Sequence, residues 1–313
     1  MWQVSGGHGR IDRAKALESL DAHVADGFTT WDLADHYGPA EDLVGAYRRR
    51  YSSEPGALRN LQFLTKWVPR PGPMTPPVVA EAVATSQRRM QTDALDLLQF
   101  HWWDYTDRRY LDALAHLAEL RDAGAIRHLG LTNFDTERLA HILERDIAIV
   151  SNQVQYSLID RRPEVRMAPW CREHSVHLLA YGAVCGGLLS DKYLGQPEPR
   201  GSALDTTSLQ KYKRMVDAWG GWGLFQELLA VLRSIAVRHE VSIATVSVRW
   251  VLDRPAVAGV ILGRRLGLTD HRAENAEIFA VTLDAEDLTR IDQVASKSHD
   301  LFKSIGDCGD EYR

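Results

Sequence analysis

Apolar positions along the chain switch repeatedly between short, nearly continuous runs and a three-to-four spacing, which predicts strands and helices in alternation. The runs Phe28 to Ala34, Leu61 to Trp67, Leu95 to His101, Arg127 to Thr132, Ala148 to Val154, Val176 to Tyr181 and Val257 to Leu262 read as seven strands. The third is broken only by Asp96 and Gln99, as suits a parallel strand covered on both faces. Helical spacing follows Asp12, with Leu17, Leu20 and Val24 on one face, and resumes near Glu41 and Asp42 with Leu43, Ala46 and Tyr47 inward. Thr75 and Pro76 open a helix running to Met90, and further helices are predicted over Arg109 to Ala123, Thr136 to Arg145 and Pro163 to His174, the last interrupted at Pro169. Leu224 to Arg238, Ser242 to Leu252 and a helix opening at Asp284 complete the series.

Strand–helix alternation of this kind implies right-handed βαβ crossovers, and eight such units close a (β/α)8 TIM barrel of about 250 residues. Seven strands are clear, so the eighth is expected at the start of the chain, where Trp2 to Ser5 reads as the tail of a truncated first strand. A doubly wound open sheet would need an apolar strand ahead of a glycine fingerprint, and Gly6-Gly7-His8-Gly9 has none before it. From Gly182 to Trp222 neither period persists, and a loop of that length inside a compact domain suggests a functional lid. The expectation is one domain over residues 1–313, with this long loop at 182–222 and a tail at 299–313.

Composition narrows the functional classes. With 37 Lys and Arg against 42 Asp and Glu, the formal net charge is −5, which argues against a nucleic-acid surface. The basic cluster Arg48-Arg49-Arg50 falls at a helix end, where cations suit the dipole. Three scattered cysteines, Cys171, Cys185 and Cys308, suggest neither a disulfide framework nor a zinc site. No run reaches the length of a membrane helix and residues 1–10 do not read as a signal peptide, so a cytoplasmic protein without membrane partners is expected.

Catalytic groups of a (β/α)8 barrel stand at the C-terminal ends of its strands. Asp32 and Tyr37 lie at one strand end, Lys66 at the next and His101 at the third, so four polar groups are expected to converge. Such a set suits proton donation. Lys66 would favour ionisation of Tyr37, Asp32 would hold Lys66 charged, and His101 would hydrogen-bond the oxygen of a carbonyl that Tyr37 protonates. The hydride needed to complete a reduction must come from a cofactor. Asp35, one pleat away, reads as structural. Trp102 and Trp103 directly follow His101, and Trp31 and Trp67 flank other members, which suggests an aromatic mouth for the substrate.

The chain resembles the aldo-keto reductase superfamily through Asp32 to Gly38, Leu64 to Trp67, Leu95 to His101, Ala123 to Phe134, Asn152 to Ser157, Gly186 to Tyr193 and the pair Glu274-Asn275, in that order. The resemblance implies that Asp32, Tyr37, Lys66 and His101 form the catalytic tetrad and that NADP(H), in preference to NAD(H), is the cofactor. It implies a nicotinamide carboxamide held by Thr132, Asn133 and Gln153, with Tyr181 stacked on the ring. Phosphate contacts would fall to the Gly187–Leu188 turn and to Gly263, Arg264 and Arg265, and adenine contacts to Glu274 and Asn275. Thr132 stands where serine is usual, and Gly182-Ala183 replaces a Ser-Pro pair, leaving the backbone amides of 186–189 to approach phosphate. The resemblance further implies an N-terminal hairpin ahead of the first strand, and the expectation is a barrel with a truncated first strand and without that hairpin. The implied reaction interconverts an aldehyde, ketone or sugar carbonyl and an alcohol. The alternative is a regulatory barrel that senses nicotinamide without turnover. A metal-dependent hydrolase is disfavoured, because no His-x-His stands near the first strand.

Overall fold

Each of the seven clear strands is present in the computed structural model, which describes residues 1, 12–263, 266–267 and 270–309. The described residues group into two compact units, where one domain is expected from the sequence. The first draws on residues 1–153 and 263–270, the second on residues 154–262 and the chain from 271 onward. Trp2 to Ser5, the expected tail of a first strand, lies outside the described residues.

In the first unit the order is α1 (Arg13–Ala25), β1 (Thr30–Asp32), α2 (Ala40–Arg50), β2 (Gln62–Trp67), α3 (Pro76–Met90), β3 (Leu95–His101), α4 (Tyr110–Asp122), β4 (Ile126–Thr132), α5 (Thr136–Leu143) and the start of β5 (Ser151–Gln155). Neighbouring strands pair in parallel and in chain order. The register aligns Asp32 with Leu64, Lys66 with Gln99, His101 with Thr132, and Thr132 with Gln153, so the strand ends carry their polar residues at neighbouring levels. All seven residues of β3 are buried, in keeping with its apolar run. The buried face of α1 is Ala16, Leu20 and His23 rather than Leu17, Leu20 and Val24.

The second unit contains the end of β5, then α6 (Met167–Glu173), β6 (His177–Tyr181), α7 (Thr207–Trp219), α8 (Gly221–Arg238), α9 (Ile243–Leu252), β7 (Val257–Ile261), α10 (Arg272–Glu277), α11 (Ala285–Ala295) and α12 (Leu301–Ile305). The backbone N–H of Tyr156 donates to the Tyr181 carbonyl at 3.0 Å, and β6 pairs with β7 in parallel. Pro169 does not break its helix. It sits in the first turn of α6, where its missing N–H costs nothing, and the interruption falls earlier, between the turn Arg162–Glu164 and Met167.

The segment 182–222 departs furthest from expectation. It holds three short 3-10 turns and the 13-residue helix α7, capped by Thr206, whose side chain accepts from the Leu209 N–H at 3.1 Å. Tyr212, Met215, Val216 and Trp219 are its buried face. Gly182 has φ +78°, and a Cβ there would lie 2.4 Å from the Tyr212 hydroxyl, so glycine admits both the turn and the packing of α7 over it. The expected tail likewise contains a helix, α12, capped by Asp300. The acidic cap of α11 is a full capping box between Asp284 and Asp287.

Candidate active site

The segment that follows β1 is pinned to β2 by backbone hydrogen bonds from Leu33 to the Leu64 carbonyl (2.7 Å) and from Asp35 to the Lys66 carbonyl (2.9 Å). A tight turn follows, in which the Tyr37 N–H donates to the Ala34 carbonyl and α2 begins at Ala40. Asp35 serves this geometry. Its side chain accepts from the Val68 N–H and meets His36 Nδ1 at 2.8 Å.

Lys66 is 2 % exposed, and an ammonium so deeply buried needs close partners. Its Nζ donates to Asp32 Oδ2 at 2.5 Å and to the Leu33 carbonyl at 2.9 Å, and lies 5.2 Å from the centre of the Tyr37 ring. Burial pushes the Asp32 carboxyl up, but the Lys66 charge and hydrogen bonds from Lys66 and Gln99 outweigh it and hold the group below its ordinary range. Burial lowers the Lys66 ammonium, against the opposing pull of Asp32.

Tyr37 behaves opposite to expectation. Burial, with the charges of Asp32 and Asp35, raises its phenol above the ordinary value, because Asp32 neutralises the ammonium that was to favour the phenolate. The phenol therefore keeps its proton at neutral pH. His101 is lowered to about 3 by burial and by the charges of Lys66 and His36, so its ring is neutral and has one N–H to donate. Asp32, Tyr37, Lys66 and His101 thus meet as one electrostatic cluster.

Of the four tryptophans expected around the mouth, three belong to the core. Trp31 and Trp67 are each 7 % exposed and Trp102 is 5 % exposed, its indole N–H donating to the carbonyls of Asp104 (2.6 Å) and Asp107 (3.0 Å). Trp103 differs. It is 49 % exposed, with its ring centre 4.5 Å from that of His101.

A model of the family described as "Aldo/keto reductase family" matches residues 1–296. The chain belongs to that family. It is 27 % identical to the aldo-keto reductase YhdN of Bacillus subtilis, covering 94 % of this chain and 87 % of that protein. It is 29 % identical to flagellar radial spoke protein 5 of Chlamydomonas reinhardtii over 70 % of this chain, and there spans about half, 49 %, of the relative's length. Among solved structures, an aldo/keto reductase from Klebsiella pneumoniae in complex with NADP and acetate matches with a TM-score of 0.65 at 23 % identity, covering 90 % of this chain and 86 % of that one. The fold class is accordingly the (β/α)8 barrel of the aldo/keto reductases.

The residues that the resemblance assigns to the carboxamide come together in the first unit. Thr132 and Gln153 are register partners, and the Asn133 N–H donates to the Gln153 carbonyl at 2.9 Å. Asn133 adopts φ +59°, a left-handed conformation that asparagine tolerates better than most residues, and its carbonyl accepts from the Tyr105 hydroxyl at 3.1 Å. Thr132 Oγ1 is buried and has no hydrogen-bond partner among the described residues. Such an atom fits a site that receives a polar group, and the amide of a nicotinamide is one.

In the second unit, Tyr181 ends β6 and carries the Lys211 ammonium 5.0 Å above its ring. The amides expected to approach phosphate are engaged in their own turn: Gly187 and Leu189 donate to the Val184 carbonyl, and Leu188 donates to that of Cys185. The Leu188 side chain is fully buried. Glu274 joins two helix starts, accepting from Ser242 Oγ at 2.6 Å and meeting His271 Nδ1 at 3.1 Å, while Asn275 is half-buried on α10. Gly263 follows β7 in sequence, and Arg264 and Arg265 lie outside the described residues.

One residue of the cluster goes unnamed in a reading by motif. Gln99 Nε2 donates to Asp32 Oδ1 at 2.9 Å from a fully buried position. Its signal in the sequence is the period of a strand: it stands two residues before His101 and so shares its face.

Proposed function

We propose that this chain is an NADP(H)-dependent oxidoreductase that interconverts a small carbonyl compound and its alcohol, with Tyr37 as the general acid. The observation that carries the reading is the buried Lys66–Asp32 pair beside a phenol held in its protonated form and an imidazole held neutral. The NADP-bound Klebsiella structure and the buried Thr132 hydroxyl, which has no partner among the described residues, support the choice of cofactor. Thr132, Asn133 and Gln153 would hold the nicotinamide carboxamide. When bound, the reduced ring supplies the hydride that no side chain can provide.

The chain's own residues do the rest. His101 donates its ring N–H to the carbonyl oxygen and orients it, and Tyr37 transfers its phenolic proton to that oxygen as negative charge gathers there. Lys66, held at 2.5 Å from Asp32, places a positive charge beside the phenolate that remains. In the direction of alcohol oxidation the same phenolate takes the proton back. Trp103, exposed beside His101, offers an aromatic face to the substrate.

The test follows NADPH oxidation with nitrobenzaldehyde in the wild type and in Tyr37→Phe. Loss of a general acid lowers turnover by about 100- to 10,000-fold. Unchanged turnover in the variant would remove Tyr37 from its role.

A further inference from the structure

Three strands supply the donors that surround the Asp32 carboxylate. Lys66 on β2 takes Oδ2 at 2.5 Å, while Oδ1 receives Gln99 Nε2 from β3 and Gln153 Nε2 from β5, each at 2.9 Å. Gln153 Nε2 also lies 2.6 Å from Gln99 Oε1. Both glutamines are buried, Gln99 completely and Gln153 to 4 % exposure, so each polar end must find a partner inside the protein or on a ligand. Gly130 is the β4 register partner of Gln99, and a Cβ there would stand 2.5 Å from Ser151 Oγ and 3.3 Å from Leu97 Cδ1, so β4 packs closely against its neighbours at this level.

The chemistry of these groups sets a direction. An ionised carboxylate only accepts, so the NH2 of each glutamine must turn toward Asp32. The Gln99 oxygen then faces the Gln153 NH2, and a reversed Gln153 would set its oxygen against both Asp32 and Gln99. The oxygen of Gln153 is therefore the end that neither Asp32 nor Gln99 engages.

We propose that Gln99 is a positioning residue that fixes the sense of the Gln153 amide, so that Gln153 offers its carbonyl oxygen to the NH2 of the nicotinamide carboxamide while Gln99 braces Asp32 against Lys66. The inference rests on the nicotinamide-dependent function proposed above and deepens it. Its consequence is selectivity at the cofactor: a ring bearing a carboxylate in place of the carboxamide would meet an acceptor with nothing to donate.

The experiment measures the dissociation constants of NADP+ and of its analogue carrying a carboxylate in place of the carboxamide, by quenching of tryptophan fluorescence. In the wild type the amide form binds at least about tenfold tighter, the scale of one buried hydrogen bond made against one left unmade. Gln99→Leu removes one of the two acceptors that hold Gln153 and reduces this ratio at least about threefold; it also lowers kcat about tenfold with the KM for the carbonyl within about twofold. Gln99→Glu, protonated beside Asp32, donates its O–H to that carboxylate and keeps a carbonyl oxygen for Gln153, so it keeps the ratio. A wild-type ratio in Gln99→Leu overturns the inference, as does a ratio lost equally in both variants, which would mark a general loosening of β3. Gln99→Met replaces Gln99→Leu in the comparison if the latter does not fold. A wild type that binds neither nucleotide would instead refute the proposed function.

Discussion

Burial acts in opposite senses on the groups gathered at the ends of β1, β2 and β3. It favours the uncharged forms of Tyr37 and His101, which leaves a proton on the phenol and none to spare on the imidazole. Asp32 and Lys66 face each other at 2.5 Å, and the charge of each opposes the shift that burial imposes on the other. His101 also carries a consequence for stability. In the native state it titrates at about 3, against about 6.5 in an unfolded chain, so between those values the unfolded state binds more protons. Its contribution to stability is complete above about pH 6.5 and is lost as pH falls toward 3, with a slope of at most about 1.4 kcal/mol per pH unit. Urea unfolding from pH 4 to 7.5 should therefore show a steeper acid-side decline in the wild type than in His101→Asn, and equal slopes would deny the neutral, buried state of the ring. The four side chains of the cluster were legible as residue types at strand ends. The direction of the Tyr37 shift was not, because it depends on how completely Asp32 cancels Lys66, which is a matter of ångströms. Gln99 was visible only as a flaw in an apolar run, and the cluster shows it to be a contact of the carboxylate.

Helix packing beneath the site explains a residue that a helix would ordinarily avoid. Gly45 lies inside α2, where alanine would add about 1 kcal/mol of helix propensity. A Cβ at this position would stand 2.0 Å from the Arg89 carbonyl in the last turn of α3, so the two backbones approach as closely as they do only because the side chain is absent. Arg89 then reaches back, donating to the Asp35 carbonyl and to Glu41 Oε2, each at 3.2 Å. Glu41, at the helix start, is itself 2 % exposed and accepts from Thr65 Oγ1 at 2.7 Å. Gly45→Ala should reverse the sign expected from propensity and destabilise the protein by about 1–3 kcal/mol, as overpacking does. A denaturant titration showing equal or greater stability would deny the close approach. The one long helix missed in sequence, α7, has a legible stripe in Tyr212, Met215, Val216 and Trp219 behind a Thr206 cap. Flanking glycines conceal it, since Gly186, Gly187, Gly220 and Gly221 suggest a loop throughout. Two of those glycines are the turn Cys185–Gly187 itself, and another two form the junction at which α7 passes into α8.

At the scale of the whole chain, the alternation of seven apolar runs with helical stretches was enough to indicate the barrel, because parallel pairing in chain order leaves few other topologies. What period and motif could not convey was the grouping of contacts into two units, which depends on residues far apart in sequence. Arg264 and Arg265 follow β7 in sequence, in the segment to which the resemblance assigns the adenosine phosphate. Binding there is a property of the whole protein's stability, since a ligand of the native state alone adds RT ln(1 + [L]/Kd), about 2.7 kcal/mol at a concentration 100 times Kd. For a chain of 313 residues this corresponds to a rise in Tm of about 4 °C. Two guanidinium groups suit a phosphate dianion, whereas NADH has only hydroxyls at that position. At equal concentration NADPH should therefore raise Tm more than NADH does. Combined replacement of Arg264→Ala and Arg265→Ala should bring the two shifts together by reducing the NADPH effect, with the NADH effect and the unliganded Tm within about 1 °C of the wild type. A variant that keeps the full difference between the nucleotides would assign the phosphate preference to other residues.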